Sequence, residues 1–590
     1  MGQHTRRSVL FAAAAASLSA CAPAPGAREA HGQQLNSTSR LGGMTLEQKV
    51  GQLFIAPVHG SDPHRPHPRN RAEYGVDTPA EVVQRHHLGG IIHFGWTDSL
   101  HDPEQIAALS RGLQEAAVSS GPRLPLLIST DQEGGAITRI GAPATEFPDS
   151  MALGAARDPR AAERAAAITG QELRAMGLNL DFAPSGDVNV NPANPIIGVR
   201  SFSSDPQLAA QLTAAQVRGY QSSAPPERTV SAAVKHFPGH GDTAQDSHEG
   251  LPVIRHTREQ WEQVDAPPFR AARDADMIMS GHLVVPELDG SHEPATLSPR
   301  VLTGMLRGEL GYRGVICTDS LRMEGVRTRH PDAEVPVLAL LAGADQMLMP
   351  VDFRAAVDGV VRAVRSGRLS ERRIDESLDR ILRMKSGRGL FAHPRGEGRL
   401  GEVGAPAHRA EAQRITDRTT TLLRNDESLL PLRTRPARVL VTGAGDDATA
   451  ALAASVRARG PRTTALATGS TPAPDKISGA VQAGGQHDVV VVLTNSAWKE
   501  SRAAQRDLVR ALVQAGSRVV AVAVRDPYDA GHVEEARTWL ATYSDKAVAM
   551  ESLARVLFGE TAPAGKLPVA VPDPARAGAQ RYPYGHGLSW

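Results

Sequence analysis

Residues 235–248 read Lys-His-Phe-Pro-Gly-His-Gly-Asp-Thr-Ala-Gln-Asp-Ser-His, which gathers a lysine, three histidines and two aspartates into one short stretch. The stretch follows the apolar run Val230–Val234, and Pro238, Gly239 and Gly241 interrupt the pattern, so a buried strand runs out into a polar loop. Loops of this kind carry the chemistry of (β/α) barrels. Asp246 and His248 are two apart and share one side of an extended loop. A carboxylate that accepts from one imidazole nitrogen fixes the tautomer and frees the other nitrogen to exchange a proton near neutral pH. General acid/base catalysis is the chemistry this pair offers. Two other readings stand beside it: solvated loop residues, or a metal site built from His236, His240 and His248, whose spacing matches no familiar ligand motif.

Elements able to position such a loop recur along the chain. Strand-like runs at Gly89–Phe94, Leu124–Thr130, Leu178–Phe182, Val230–Lys235, Met277–Ser280, Val315–Thr318 and Gln346–Met349 alternate with helical patterns, which argues for a parallel sheet. Their number and span predict a (β/α)₈ barrel over 43–386, with the first strand unplaced. Thr45 and Gln48 form a capping-box pattern, and Leu46, Val50, Leu53 and Phe54 share one face of the helix it opens. Asp131, Lys235, His236 and Asp319 all follow barrel strands directly. Each could bond locally; together on one rim they favour a site.

The helical pattern Arg373–Met384 closes the barrel, and Gly/Pro-rich sequence from Gly387 to Pro406 opens a linker over 387–415. Beyond it, runs at Val439–Thr442, Val489–Thr494, Val519–Val524 and Trp539–Thr542 alternate with helical patterns such as Ala503–Ala515, giving a smaller α/β sandwich over 416–590. Gly443-Ala444-Gly445-Asp446 lacks the third glycine of a dinucleotide fingerprint.

At the N-terminus, Arg6-Arg7 precedes an apolar, alanine-rich run and then Leu18-Ser19-Ala20-Cys21. This reads as an export signal over 1–20, similar to a twin-arginine leader, ending at a lipobox-like Cys21 that would carry a lipid and tether the protein to a membrane through 21–42. An ordinary cleaved signal with an incidental cysteine is the alternative. Cys317 is the other cysteine, so no structural disulfide is expected. A net charge of +1 gives no basic excess for nucleic acid, and no later apolar run approaches membrane-spanning length.

The run KHFPGHGDTAQDSHEGLP resembles the loop of family 3 glycoside hydrolases of the bacterial β-N-acetylglucosaminidase (NagZ-type) branch. MTLEQKVGQLF at 44–54, DQEGG at 131–135, GVRSF at 198–202 and GVICTDSLRMEGV at 314–326 extend the resemblance in order, and TTTLLRNDESLLPL at 419–432, VRDPYDA at 524–530, GETAPAGKLPVAVP at 559–572 and YPYGHGLSW at 582–590 carry it through the second domain. The resemblance implies the barrel, Asp319 as nucleophile, His248 backed by Asp246 as acid/base, and Asp131, Arg200, Lys235 and His236 as the residues gripping the sugar. It implies a carbohydrate partner, with no cofactor and no metal. The activity expected is a retaining exo-β-N-acetylglucosaminidase acting on peptidoglycan or chitin-type fragments. A phosphorylase using the same residues and a non-catalytic glycan-binding lipoprotein are the alternatives. The second domain is expected to act as a scaffold bordering the cleft.

Overall fold

The computed structural model describes residues 42–590, except His248, Thr328, Glu397 and 433–435. The leader, Cys21 and His248 therefore lie outside the described residues. Eight parallel strands close into a barrel: β1 Phe54–Ala56, β2 Gly90–Ile92, β3 Leu127–Thr130, β4 Leu180–Asp181, β5 Ser231–Phe237, β6 Met277–Ser280, β7 Val315–Ser320 and β8 Gln346–Leu348. All seven anticipated strands form, trimmed or extended by a few residues. The missing first strand was hidden inside the expected N-terminal helix.

That helix spans Leu46–Gly51, with the anticipated capping box of Thr45 and Gln48. Its last residue, Gly51, abuts the carbonyls of His86 and His87, where a Cβ would come within 2.2 Å of oxygen, so no larger residue fits there. Phe54, expected on the helix face, instead opens β1 and pairs with Met347 of β8, which closes the barrel. An apolar residue at helical spacing can equally be a strand residue when the helix is short.

The barrel strands are almost wholly apolar until their C-terminal ends, as a sheet covered on both faces requires. Helix Glu371–Gly387 packs Ile374, Leu378 and Ile381 into this core. The stretch read as linker also contains a helix, Pro406–Thr416, whose Ala412 and Ile415 pack beside Ala161, Ile168 and Leu212 of the barrel's outer helices.

The second domain is a six-stranded sheet made of β9 Thr421–Asn425, β10 Arg438–Gly443, β11 Arg462–Ala467, β12 Val489–Thr494, β13 Val519–Ala523 and β14 Thr538–Ala541. Its order is β11-β10-β12-β13-β14-β9, with only β9 antiparallel. Alternate residues serve opposite faces: Val489, Val491, Val520 and Val522 meet helices Asp446–Arg457 and Ala547–Leu557, while Val490, Val492 and Ala521 meet helices Pro474–Gly484 and Ala504–Gln514. Met151, Ala152, Ala155 and Val199 of the barrel domain bury into the same cluster as Val490 and Val492, joining the two domains. A short hairpin, β15 Val571–Pro572 with β16 Gln580–Tyr582, completes the domain.

Candidate active site

The C-terminal ends of the barrel strands open into a cavity of about 410 Å³ lined by Asp131, Glu133, Arg200, Lys235, His236, Asp319 and, on its aromatic wall, Phe94 and Trp96. Five of the residues singled out from the sequence meet here: Asp131, Arg200, Lys235, His236 and Asp319. Asp246 does not line the cavity, although its neighbour Ser247 does. His248 lies outside the described residues.

The floor is a network of charges. Lys235 Nζ donates to Asp131 Oδ1 at 2.8 Å and reaches Glu133 Oε1 at 2.7 Å. Arg200 grips Glu133 through two parallel bonds, Nε to Oε2 at 2.9 Å and Nη2 to Oε1 at 2.8 Å. This bidentate fork fixes the guanidinium in a plane. Burial opposes ionisation of Glu133, but Arg200 and Lys235 outweigh it and hold its carboxyl far below the usual glutamate range. Lys235 is held above its ordinary value despite burial, chiefly by Asp131 and Glu133. Glu133, Lys235 and Arg200 are therefore charged at neutral pH, and with Asp131 they form an array of fixed donors and acceptors suited to vicinal hydroxyls.

Lys235 and His236 both face the cavity although they are adjacent on β5. The ladder to β6 shifts register between Val234 and Phe237, so strict alternation fails there. On the other edge, Ser185 bridges Lys235 and sets Asp187 beside His236. Asp187 accepts His236 Nδ1–H at 2.7 Å and the backbone N–H groups of His236 and His240 at 3.2 and 2.7 Å. Its carboxyl is held low because His236 outweighs the effect of burial. With Nδ1 committed as donor, His236 turns Nε2 toward Asp319, 4.0 Å from Oδ2.

Asp319 stands near the end of β7, and its Oδ1 accepts the Ser320 N–H at 2.7 Å. Burial raises its pKa, but His236, His282, that N–H and Lys235 together leave it below the ordinary value. It is an ionised carboxylate, anchored on a strand and facing a space lined with charged donors and acceptors. Such a group can attack an electrophilic carbon. Beneath it, His282 donates from Nε2 to the Ser320 carbonyl at 3.0 Å and contacts Thr296 Oγ1 through Nδ1.

Of the three histidines in the metal alternative, His236 and His240 are described and His248 is not. His236 Nδ1 is engaged by Asp187, and His240 Nε2 meets Ser247 Oγ at 2.9 Å. Burial holds the His240 imidazole down to about 4. Among the described residues no group of three His, Cys, Asp or Glu is arranged to hold an ion.

Comparison with known proteins decides the lineage. Residues 45–384 match the glycosyl hydrolase family 3 N terminal domain, and residues 420–590 match the family's C-terminal domain. The chain belongs to glycosyl hydrolase family 3. It is 34% identical to a beta-hexosaminidase A of Pseudoalteromonas piscicida over 66% of this chain and 69% of that one. A beta-N-acetylglucosaminidase/beta-glucosidase of Cellulomonas fimi is 28% identical over 89% of this chain and 94% of its own length. A solved glycoside hydrolase family 3 beta-N-acetylglucosaminidase from Paenibacillus sp. str. FPU-7 superimposes with a TM-score of 0.81 at 36% identity, covering 90% of this chain and 99% of that one.

Within this family 3 enzyme, sequence reasoning missed Glu133, Asp187 and the aromatic wall. Glu133 was visible inside DQEGG as a second carboxylate two residues after Asp131. Asp187 left no signal, because its partner lies 49 residues away. Trp96 is 48% exposed and stacks on Phe94, with ring centroids 5.3 Å apart and planes 23° apart. Among the described residues, the second domain, expected as a scaffold bordering the cleft, supplies no side chain to the cavity lining. Its Tyr528 hydroxyl instead accepts from buried Asn189 Nδ2 at 3.2 Å, behind the site.

Proposed function

We propose that this enzyme is a retaining exo-β-N-acetylglucosaminidase that removes terminal non-reducing N-acetylglucosamine from peptidoglycan or chitin-type fragments. The observation that carries the reading is the ionised Asp319 carboxylate at a strand end, opposite the charged floor of Asp131, Lys235, Glu133 and Arg200. The enzymes named above, including the Paenibacillus β-N-acetylglucosaminidase, support the sugar specificity.

In the first step Asp319 attacks the anomeric carbon, and the bond from that carbon to the leaving oxygen breaks as the His248 imidazolium delivers its proton there. In the second, neutral His248 takes a proton from water, the water oxygen bonds to the anomeric carbon, and the ester to Asp319 breaks. Asp246 orients His248. Two inversions at one carbon retain its configuration. An uncharged base also avoids repelling an anionic leaving group.

The deciding test is anomer-resolved analysis of the products formed by residues 22–590 from an aryl β-N-acetylglucosaminide, with and without phosphate. Initial release of the β-anomer at a rate independent of phosphate is expected. An α-anomer or no release overturns the reading, and N-acetylglucosamine 1-phosphate makes the enzyme a phosphorylase using the same residues. We further propose that Cys21 carries a lipid and holds the enzyme on the extracytoplasmic side of a membrane. Cys21→Ser should release the protein into the soluble fraction, and unchanged membrane retention overturns the anchor.

A further inference from the structure

Behind the site, outside the residues lining the cavity, one imidazole joins two carboxylates. His256 Nε2 lies 2.9 Å from Asp242 Oδ2, and Nδ1 lies 2.6 Å from Asp265 Oδ2. Facing two carboxylates, the ring donates from both nitrogens as the imidazolium: the bonds to Asp242 and then Asp265 lift its pKa to about 10, while burial raises the Asp265 carboxyl. The His256 ring is 12% exposed and Asp265 is buried. Nothing in the mechanism uses this cation.

Its position gives it work. Asp265 lies directly under Gly239, where a Cβ would come within 2.6 Å of its Oδ1. Asp242 follows Gly241, which packs against the Val188 carbonyl so closely that a Cβ would lie 1.7 Å from oxygen. Asn194 Nδ2 donates to the His240 and Gly241 carbonyls at 2.8 and 3.1 Å, and Trp261 Nε1 donates to the Pro238 carbonyl at 2.9 Å. The entry limb of the loop, from Pro238 to Asp242, is thus held from both sides, and His256 ties its far end to the helix segment that begins at Asp265. The limb then hands its geometry on: His240 Nε2 meets Ser247 Oγ, between Asp246 and His248 in the chain.

We propose that His256 is a positioning residue for the proton-transfer step: by bridging Asp242 and Asp265 it fixes the base of the loop that presents Asp246 and His248 to the leaving oxygen. The inference rests on the assignment of His248 as the acid. A loop held loosely delivers its proton poorly while leaving the nucleophile on β7 undisturbed, so the loss falls on substrates that need the proton.

The test measures kcat and KM of the full chain for a dinitrophenyl and for a phenyl β-N-acetylglucosaminide, for wild type, His256→Gln, Asp242→Asn, the double variant and His256→Arg. For His256→Gln, kcat on the phenyl substrate should fall about tenfold or more, with KM and the dinitrophenyl rate nearly unchanged. The double variant should be no worse than the singles. His256→Arg, which keeps a cationic two-carboxylate donor, should recover most of the loss. Equal losses on both substrates, or a lowered melting temperature with unaltered kinetics, overturn the positioning role. His248→Ala is measured alongside. If its losses are equal on both substrates, the acid assignment and this inference fall together; if His248→Ala is selective and His256→Gln is not, only the inference falls.

Discussion

Asp319 and Glu133 are both ionised carboxylates in one cavity, yet their surroundings give them different work. Glu133 is saturated by Arg200 and Lys235, whereas Asp319 keeps one oxygen directed at open space, with His236 Nε2 4.0 Å away. Asp319→Asn should therefore lower kcat/KM by about 10⁴-fold or more while the melting temperature stays close to wild type. Glu133→Gln should behave in the opposite way in solution. It leaves two buried cations short of a partner and should cost about 3 kcal/mol of stability, measured by urea unfolding at pH 7. Because the folded-state pKa of Glu133 lies below the ordinary 4.5, its contribution is complete above that pH and is lost as pH falls toward the depressed value. Wild type should lose stability steadily below pH 4.5, and Glu133→Gln should show a shallower fall. Asp131, Lys235 and His236 were legible because charged side chains directly after apolar strands are rarely idle, whereas Arg200 was reached only through the family resemblance. Asp187 was not legible, since its value comes from being set beside His236 by the bridge between Ser185 and Lys235.

Among the elements, β5 and its loop show how local pattern and tertiary contact divide the labour. Apolar Val230–Val234 announces the strand, and Pro238, Gly239 and Gly241 announce its end. Why those glycines stand there is visible only in three dimensions: Gly239 has φ of +129° over Asp265, and Gly241 abuts Val188. Gly241→Ala should push the loop off the Val188–Asn194 segment, costing about 1–3 kcal/mol and most of the turnover of substrates with poor leaving groups. Thermal melting and the two-substrate kinetics measure the two effects. Strand β1 escaped sequence reading for a related reason: three apolar residues beside a short helix carry too little periodicity to separate the two states, and only pairing with β8 decides.

At the scale of the whole molecule, the second domain acts from behind. Asp149, in the barrel domain, accepts the Ala136 N–H at 2.8 Å and lies against the second domain. Burial pushes its carboxyl up to about 6, against the pull of Ala136, Ser544 and Arg525. This joint holds the segment of Asp131, Glu133 and Arg139, since Gly135 sits on the Asp149 carboxyl. The folded-state value lies above the ordinary 3.8, so the contribution of the protonated group is full below pH 3.8 and is lost as pH rises through about 6. Asp149→Asn should raise the melting temperature at pH 8, equivalent to roughly 1–3 kcal/mol, and flatten the pH dependence between 4 and 6.

The amino-acid sequence by itself determined the alternation of strands and helices, the two-domain division and four cavity residues, Asp131, Lys235, His236 and Asp319, because apolar periodicity and strand-end charge are local properties of the chain; its motifs added the family and, with it, Arg200. Tertiary structure alone decided which carboxylate is saturated by cations and which faces the cavity, which glycines are forced by a neighbouring carbonyl or carboxylate, and that Asp187 meets His236 and His256 joins Asp242 to Asp265. Those outcomes depend on distances between segments that no local pattern encodes, and charge acts through distance.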